Sequence, residues 1–171
     1  MATPLKDRGD PASELFEVEN YPFYRLNRTA SRYNRLIEAE LRKIDLEVLA
    51  WRVLLILGET SPLPAAKVAE LCFINLSTLT RLIERMKRAG LVLTFTSESD
   101  RRVTQIGMTD AGLAKLKEAR VITAPFYQQA IKGFSERELS SLLRLLDQLH
   151  DNLEEPAVQG MPRKTKLTSP A

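Results

Sequence analysis

Cysteine, histidine and tryptophan each occur once in this chain of 171 residues, at Cys72, His150 and Trp51. A single cysteine excludes an intrachain disulfide and fits a reduced compartment. One cysteine and one histidine supply no metal cluster of the usual kind. There is no phosphate-binding glycine loop and no G-x-S-x-G nucleophile motif, so nothing marks an enzyme. No apolar run approaches the roughly 20 residues that span a membrane. The first ten residues lack the apolar core of a signal peptide. The expectation is a soluble cytoplasmic protein with no cofactor and no membrane partner.

What is present is an ordinary hydrophobic fraction, 44%, and a small positive excess of +3. That excess alone does not imply nucleic acid. Its placement is more informative. Between Arg81 and Arg102 there are six lysines or arginines against three acids, Glu84, Glu98 and Asp100.

That basic region lies in the stretch around which the chain is organised, residues 63–109. It reads as helix, tight turn, helix, then two strands joined by a charged loop. The second helix is expected over 75–89. Leu76, Leu79, Ile83 and Met86 step by three, four and three, so they form one buried stripe. Ser77, Thr78, Arg81, Arg85 and Arg88 fall largely on the other side. Asn75 is a good N-cap and Gly90 a good terminator. Residues 91–96 and 102–108 read as a strand and its return, with 97–101 as the tip. Hydroxyls and arginines on the wet face of a capped helix suit a DNA groove, where an arginine fork matches guanine O6 and N7. The ordered combination of short helix, capped second helix and basic hairpin is a winged helix-turn-helix.

The flanks divide into a flexible arm (1–20), a long amphipathic helix (21–45) and a DNA-binding lobe (46–109). Terminal helices (110–155) and a disordered tail (156–171) follow. In the first long helix Phe23, Leu26, Ala30, Tyr33, Ile37, Leu41 and Ile44 recur at helical spacing. Asp45 is expected to cap a nearly all-apolar helix over 46–58. Trp51 reads as core or pocket wall. Arg52, embedded in that apolar run, needs a partner or an acidic ligand. Together with Asn34 these two are the candidate ligand-binding residues, suited to an aromatic carboxylate. Cys72 reads as a small buried hydrophobe, with a thiol redox switch as the alternative. Thr109 caps a helix that Pro125 should kink or break. Ser135 and Glu138 form a capping box for a last helix with seven leucines. That surplus of leucine suggests a dimer.

Several segments resemble the MarR family of bacterial transcriptional regulators. They are Trp51–Leu54, Val68–Leu71, Ser77–Arg85, Gly90–Val92, Asp100–Arg102 and Met108–Gly112. The match spans roughly residues 20–154. The resemblance implies a mainly α fold with a two-stranded β-wing and long terminal dimerisation helices. It implies an obligate homodimer on a pseudo-palindromic operator in double-stranded DNA, released by a small, often aromatic and acidic effector. Ser77, Thr78 and Arg81 would enter the major groove, with Thr80 and Arg85 in the same DNA-binding set. Arg101 would enter the minor groove. Asp100 would orient the neighbouring arginines, and Arg102 would pair with it or contact the backbone. Three positions depart from the family pattern. Thr94 stands where arginine is frequent, Phe73 where the turn often has glycine, and Leu76 where a polar contact is frequent. A winged helix used only for protein–protein assembly is the remaining alternative.

Overall fold

The computed structural model describes residues 4–97 and 100–154. The tail expected to be disordered lies outside the described residues. The chain divides into two compact units after Tyr127.

The first unit begins with α1 (Leu5–Gly9) and a single 3-10 turn at Val18–Asn20. The arm expected to be flexible is therefore folded over its described part. Glu17 explains this. Its amide donates to the Arg8 carbonyl at 2.8 Å, and its carboxylate accepts from Arg8 and from Asn20. Phe16, Tyr21 and Phe23 then stack edge to face in sequence.

Helix α2 spans Pro22–Leu41, with Pro22 at its first position, where no N–H is missed. Of the expected apolar stripe only Ile37 and Leu41 are fully buried. Helix α3 is Val48–Glu59, and Asp45 does not cap it. Residues 42–44 instead form a 3-10 turn that ends on Asp45 at φ 53°, a left-handed conformation aspartate tolerates. Glu47 occupies the N-cap position.

Helices α4 (Ala65–Leu71) and α5 (Leu76–Arg88) make the helix-turn-helix. Phe73 in their turn adopts φ 54°, which is costly for a bulky residue, and glycine would adopt it freely. Strands β2 (Val92–Thr96) and β3 (Thr104–Met108) pair antiparallel, with Val92 opposite Met108 and Thr96 opposite Thr104. A third strand, β1 (Leu63–Pro64), pairs with the other edge of β3. The expected two-stranded wing is thus a three-stranded sheet of order β1-β3-β2. Two residues, one of them proline, are too short for any alternation to reveal.

The core gathers Val53, Leu54 and Leu57 from α3, Val68 from α4, Leu79 and Leu82 from α5, Ile106 from β3 and Leu116 from the helix that follows β3. Each is at most 1% exposed, and burying such a side chain contributes about 1.5–3 kcal/mol. This burial holds α5 against the sheet and fixes which face it presents.

Helix α6 spans Asp110–Ala130, capped by Thr109, whose hydroxyl accepts from the Gly112 amide at 3.0 Å. Pro125 does not break it. The carbonyl that Pro125 deprives of a donor belongs to Val121, and both residues face solvent, where water can replace the bond.

In the second unit α7 spans Glu136–Glu154. The capping box forms as expected: Glu138 accepts from the Ser135 amide at 2.8 Å, and its own amide donates to the Ser135 hydroxyl. The Ser135 hydroxyl also donates to the Glu138 carboxylate at 2.7 Å, and that bond first, then the one from the Ser135 amide, favours the charged form and holds Glu138 below the usual pKa range. None of the described α7 side chains is buried, and Leu142, Leu143, Leu145 and Leu153 are all exposed. No helix among the described residues is long and apolar enough to cross a membrane.

Candidate nucleic-acid interface

The outward face of α5 follows from its buried one. Of the expected stripe Leu79, Ile83 and Met86 are buried, at most 4% exposed, but Leu76 in the first turn is 51% exposed and Leu82, 1% exposed, takes its place in the core. Ser77, Arg81, Glu84 and Arg88, spaced by four, three and four, occupy the opposite side, and all four are exposed. Three arginines and a lysine fall between Arg81 and Arg88, with Glu84 the one acid among them.

The cap organises the first turn. The Asn75 side-chain oxygen accepts from the Thr78 amide at 2.8 Å and from the Ser77 hydroxyl at 2.7 Å. Thr80 donates its hydroxyl back to the Leu76 carbonyl at 2.8 Å. Ser77, Thr78 and Arg81 thus stand on exposed surface, as expected. Thr80 lies to one side, lining a recess of about 270 Å³ between α5 and the sheet with Leu76, Ile83, Glu84 and Thr94.

Arg85 is held differently. Its guanidinium donates to both carboxylate oxygens of Glu47, at 2.8 and 2.9 Å through Nη2 and at 3.1 Å through Nε. Sequence reasoning did not find this pair, because the two residues are 38 apart and no local spacing signals it.

At the wing, Asp100 accepts from the backbone and side chain of Arg102, at 3.0, 3.1 and 3.2 Å. These bonds favour the charged carboxylate and push its pKa below the usual range, the side-chain bond contributing most. Of the two arginines, Arg102 is the one engaged with Asp100, and Arg101 is exposed. Glu98 and Ser99 lie outside the described residues.

The three candidate ligand residues separate. Asn34 and Arg52 line a cleft of about 820 Å³, and Arg52 donates to Asn34 Oδ1 at 3.2 Å. Trp51 does not join them. It belongs to the core, 8% exposed, and its buried indole N–H has no partner among the described residues. On α3 consecutive residues point about 100° apart, so the same helix sends Trp51 inward and Arg52 to the cleft. The cleft also takes in Glu38, Arg42, Glu47 and Ile74. The spacing of Asn34, Glu38 and Arg42 by four was a signal that could have placed them on one face, the first two on α2 and Arg42 in the 3-10 turn that continues it. Arg42 is already paired with Glu38 at 2.6 Å, whereas Arg52 has no carboxylate partner among the described residues.

Cys72 is buried, 2% exposed, and burial raises its thiol pKa. The sequence suggested no basic neighbour, but the charge of Arg52 does reach the thiol and opposes that rise as the smaller effect. A raised pKa and an inaccessible sulfur disfavour oxidation chemistry. No group of metal-ligating side chains occurs among the described residues.

Comparison with known proteins agrees with this geometry. The MarR family profile matches residues 44–103, the span from α3 to the wing. The chain is 40% identical over 145 residues to the HTH-type transcriptional repressor IacR of Pseudomonas putida, covering 85% of this chain and 87% of that protein. A MarR family transcriptional regulator from Silicibacter pomeroyi superposes with a TM-score of 0.74 at 23% identity, covering 85% of this chain and 96% of that one. A mutant MarR from E. coli, solved in complex with operator DNA, has a TM-score of 0.67 at 21% identity, over 77% of this chain and 95% of that one. Proteins of this kind are DNA-binding regulators rather than enzymes, and this chain belongs to the MarR family of winged helix-turn-helix transcription regulators.

Proposed function

We propose that the protein is a homodimeric repressor that occupies a pseudo-palindromic operator and leaves it when a small aromatic carboxylate binds. The observation that carries this reading is the exposed face of α5. A core-anchored helix presents Ser77, Thr78 and Arg81 beside a wing that offers Arg101. Ser77, Thr78 and Arg81 would meet base edges and phosphates in the major groove. Arg101 would enter the flanking minor groove, where the negative potential favours arginine. The name of the P. putida relative, a repressor, supports the sign of the regulation.

The exposed leucines of α7 support the dimer, since a helix with such a stripe gains by burying it against a second copy. Two half-sites about one helical turn apart then follow from two-fold symmetry. The cleft supports the effector. Arg52 supplies a cation without a carboxylate partner among the described residues, and Val48, Leu49 and Ile74 supply an apolar wall. Ile74 directly precedes the α5 cap, so an occupant would touch the turn that sets the recognition helix. Release requires that the effector bind one dimer conformation more tightly than the other.

Footprinting on the DNA upstream of the protein's own gene, across a salt series, tests the reading. A protected pseudo-palindrome with steep salt dependence is expected. Equal, diffuse binding to unrelated DNA would count against it.

A further inference from the structure

The first turn of α5 fixes the hydrogen-bond polarity of its serine. A backbone amide can only donate, so the Asn75 side-chain atom that meets the Thr78 N–H at 2.8 Å must be the amide oxygen. The Ser77 hydroxyl lies 2.7 Å from that same oxygen. An amide oxygen only accepts, so Ser77 must spend its one proton on Asn75. What Ser77 then offers outward is lone pairs. Both residues are exposed, and Ser77 shares its face with Arg81 one turn later.

We infer that Ser77 is a specificity-determining residue that reads an exocyclic amino group, the N6 amine of adenine or the N4 amine of cytosine, with Asn75 as the positioning residue that sets its polarity. In the major groove these two bases present amine donors, whereas guanine O6 and N7 and thymine O4 present acceptors. A hydroxyl whose proton is committed satisfies the first pair and faces the second lone pair to lone pair. Arg81 has the opposite polarity, donors only, and suits guanine. The two residues lie four apart, about 6 Å along the helix axis. The amine-bearing base is therefore expected one or two base pairs from the guanine, with steps of about 3.4 Å. Thr80, whose proton is likewise spent, on the Leu76 carbonyl, does not substitute for Ser77 because it faces the recess beside the sheet.

This inference rests on the DNA-binding reading above, and one experiment separates the two. The full-length protein is used to select duplexes from a random library, and the selection is repeated with Ser77→Ala, Asn75→Gly and Asn75→Asp. Glycine is tolerated at an N-cap but has no side-chain acceptor, so the helix survives while the polarity is released. Aspartate keeps the acceptor. The wild-type half-site is expected to favour adenine or cytosine at one position near a guanine. Replacing that base with purine or 2-pyrimidinone, which lack the amine, should weaken wild-type binding about three- to tenfold, the worth of one hydrogen bond. Ser77→Ala should be indifferent to the replacement. Asn75→Gly should accept all four bases there, and Asn75→Asp should keep the preference even if its charge lowers affinity throughout. A selected half-site whose preferences are the same in Ser77→Ala, or one with guanine or thymine opposite Ser77, overturns the inference and leaves the DNA-binding reading standing. Failure to enrich any duplex overturns both.

Discussion

Arg85 of the recognition helix grips Glu47, the residue that opens α3, through both carboxylate oxygens. Glu47 also lines the cleft that holds Arg52. One carboxylate therefore links the candidate effector site to the candidate DNA-reading helix. It also means that an arginine assigned to DNA from its position on α5 is occupied by protein. Both side chains are about half exposed, so the pair contributes at most about 1 kcal/mol to stability.

Glu47→Gln should leave folding nearly unchanged and release Arg85. A released arginine can reach a phosphate, and each added phosphate contact steepens the dependence of log affinity on log salt by about 0.9. The expected result is tighter binding at low salt and a slope steeper by about that amount per protomer. An unchanged slope would mean that Arg85 gains no phosphate contact when freed.

Gly112 is the tightest close approach in the first unit. A Cβ there would lie 2.1 Å from the Leu91 carbonyl oxygen and 2.9 Å from Met108 Cγ. The oxygen is backbone, already accepting from Thr109, and cannot swing aside. Gly112→Ala should destabilise by about 1–3 kcal/mol, as overpacking of a rigid site does. Chemical denaturation checks this, and a midpoint equal to wild type would contradict the close approach.

Most of this architecture was legible because its signals are local. The α5 stripe apart from Leu76, the Asn75 cap, the Gly90 terminator and the Ser135–Glu138 box all lie within one or two helical turns. What was not legible depends on partners distant in the chain. Strand β1 exists because β3 offers it an edge, not because Leu63 and Pro64 favour extension. The Glu47–Arg85 pair closes across 38 residues. Asp45 was misassigned because aspartate suits both an N-cap and a left-handed turn, and only the preceding 3-10 turn decides between them. At the site, which α5 side chains face solvent could largely be read from periodicity. Whether an arginine was free or engaged could not.

Trp51 and Arg52 should respond oppositely to substitution. Trp51→Ala empties a core position and should cost about 3–5 kcal/mol. Trp51→Phe removes the unpartnered indole N–H along with some volume and should cost far less, leaving the cleft as it was. Arg52→Leu removes the cation from the cleft without emptying the core. Calorimetry with benzoate as a simple aromatic carboxylate should show binding retained in Trp51→Phe and lost in Arg52→Leu. Loss in Trp51→Phe with retention in Arg52→Leu would relocate the effector to the core side of α3.

The Asp100–Arg102 link sets a pH threshold for the wing. Bonds from Arg102 lower the Asp100 pKa when folded. A depressed carboxylate contributes its ordering above the ordinary aspartate value, near 3.9, and loses it as pH falls through the lower folded value. The wing tip should therefore stay ordered at neutral pH and loosen only in acid. The Arg102 Nε–H resonance reports the bond directly and should shift with a midpoint below that of a free aspartate. Asp100→Asn keeps an oxygen for the Arg102 amide but abolishes the titration. A midpoint at or above the free value would mean that the Arg102 bonds do not persist in solution, and the wing would then present two unengaged arginines in place of Arg101 alone.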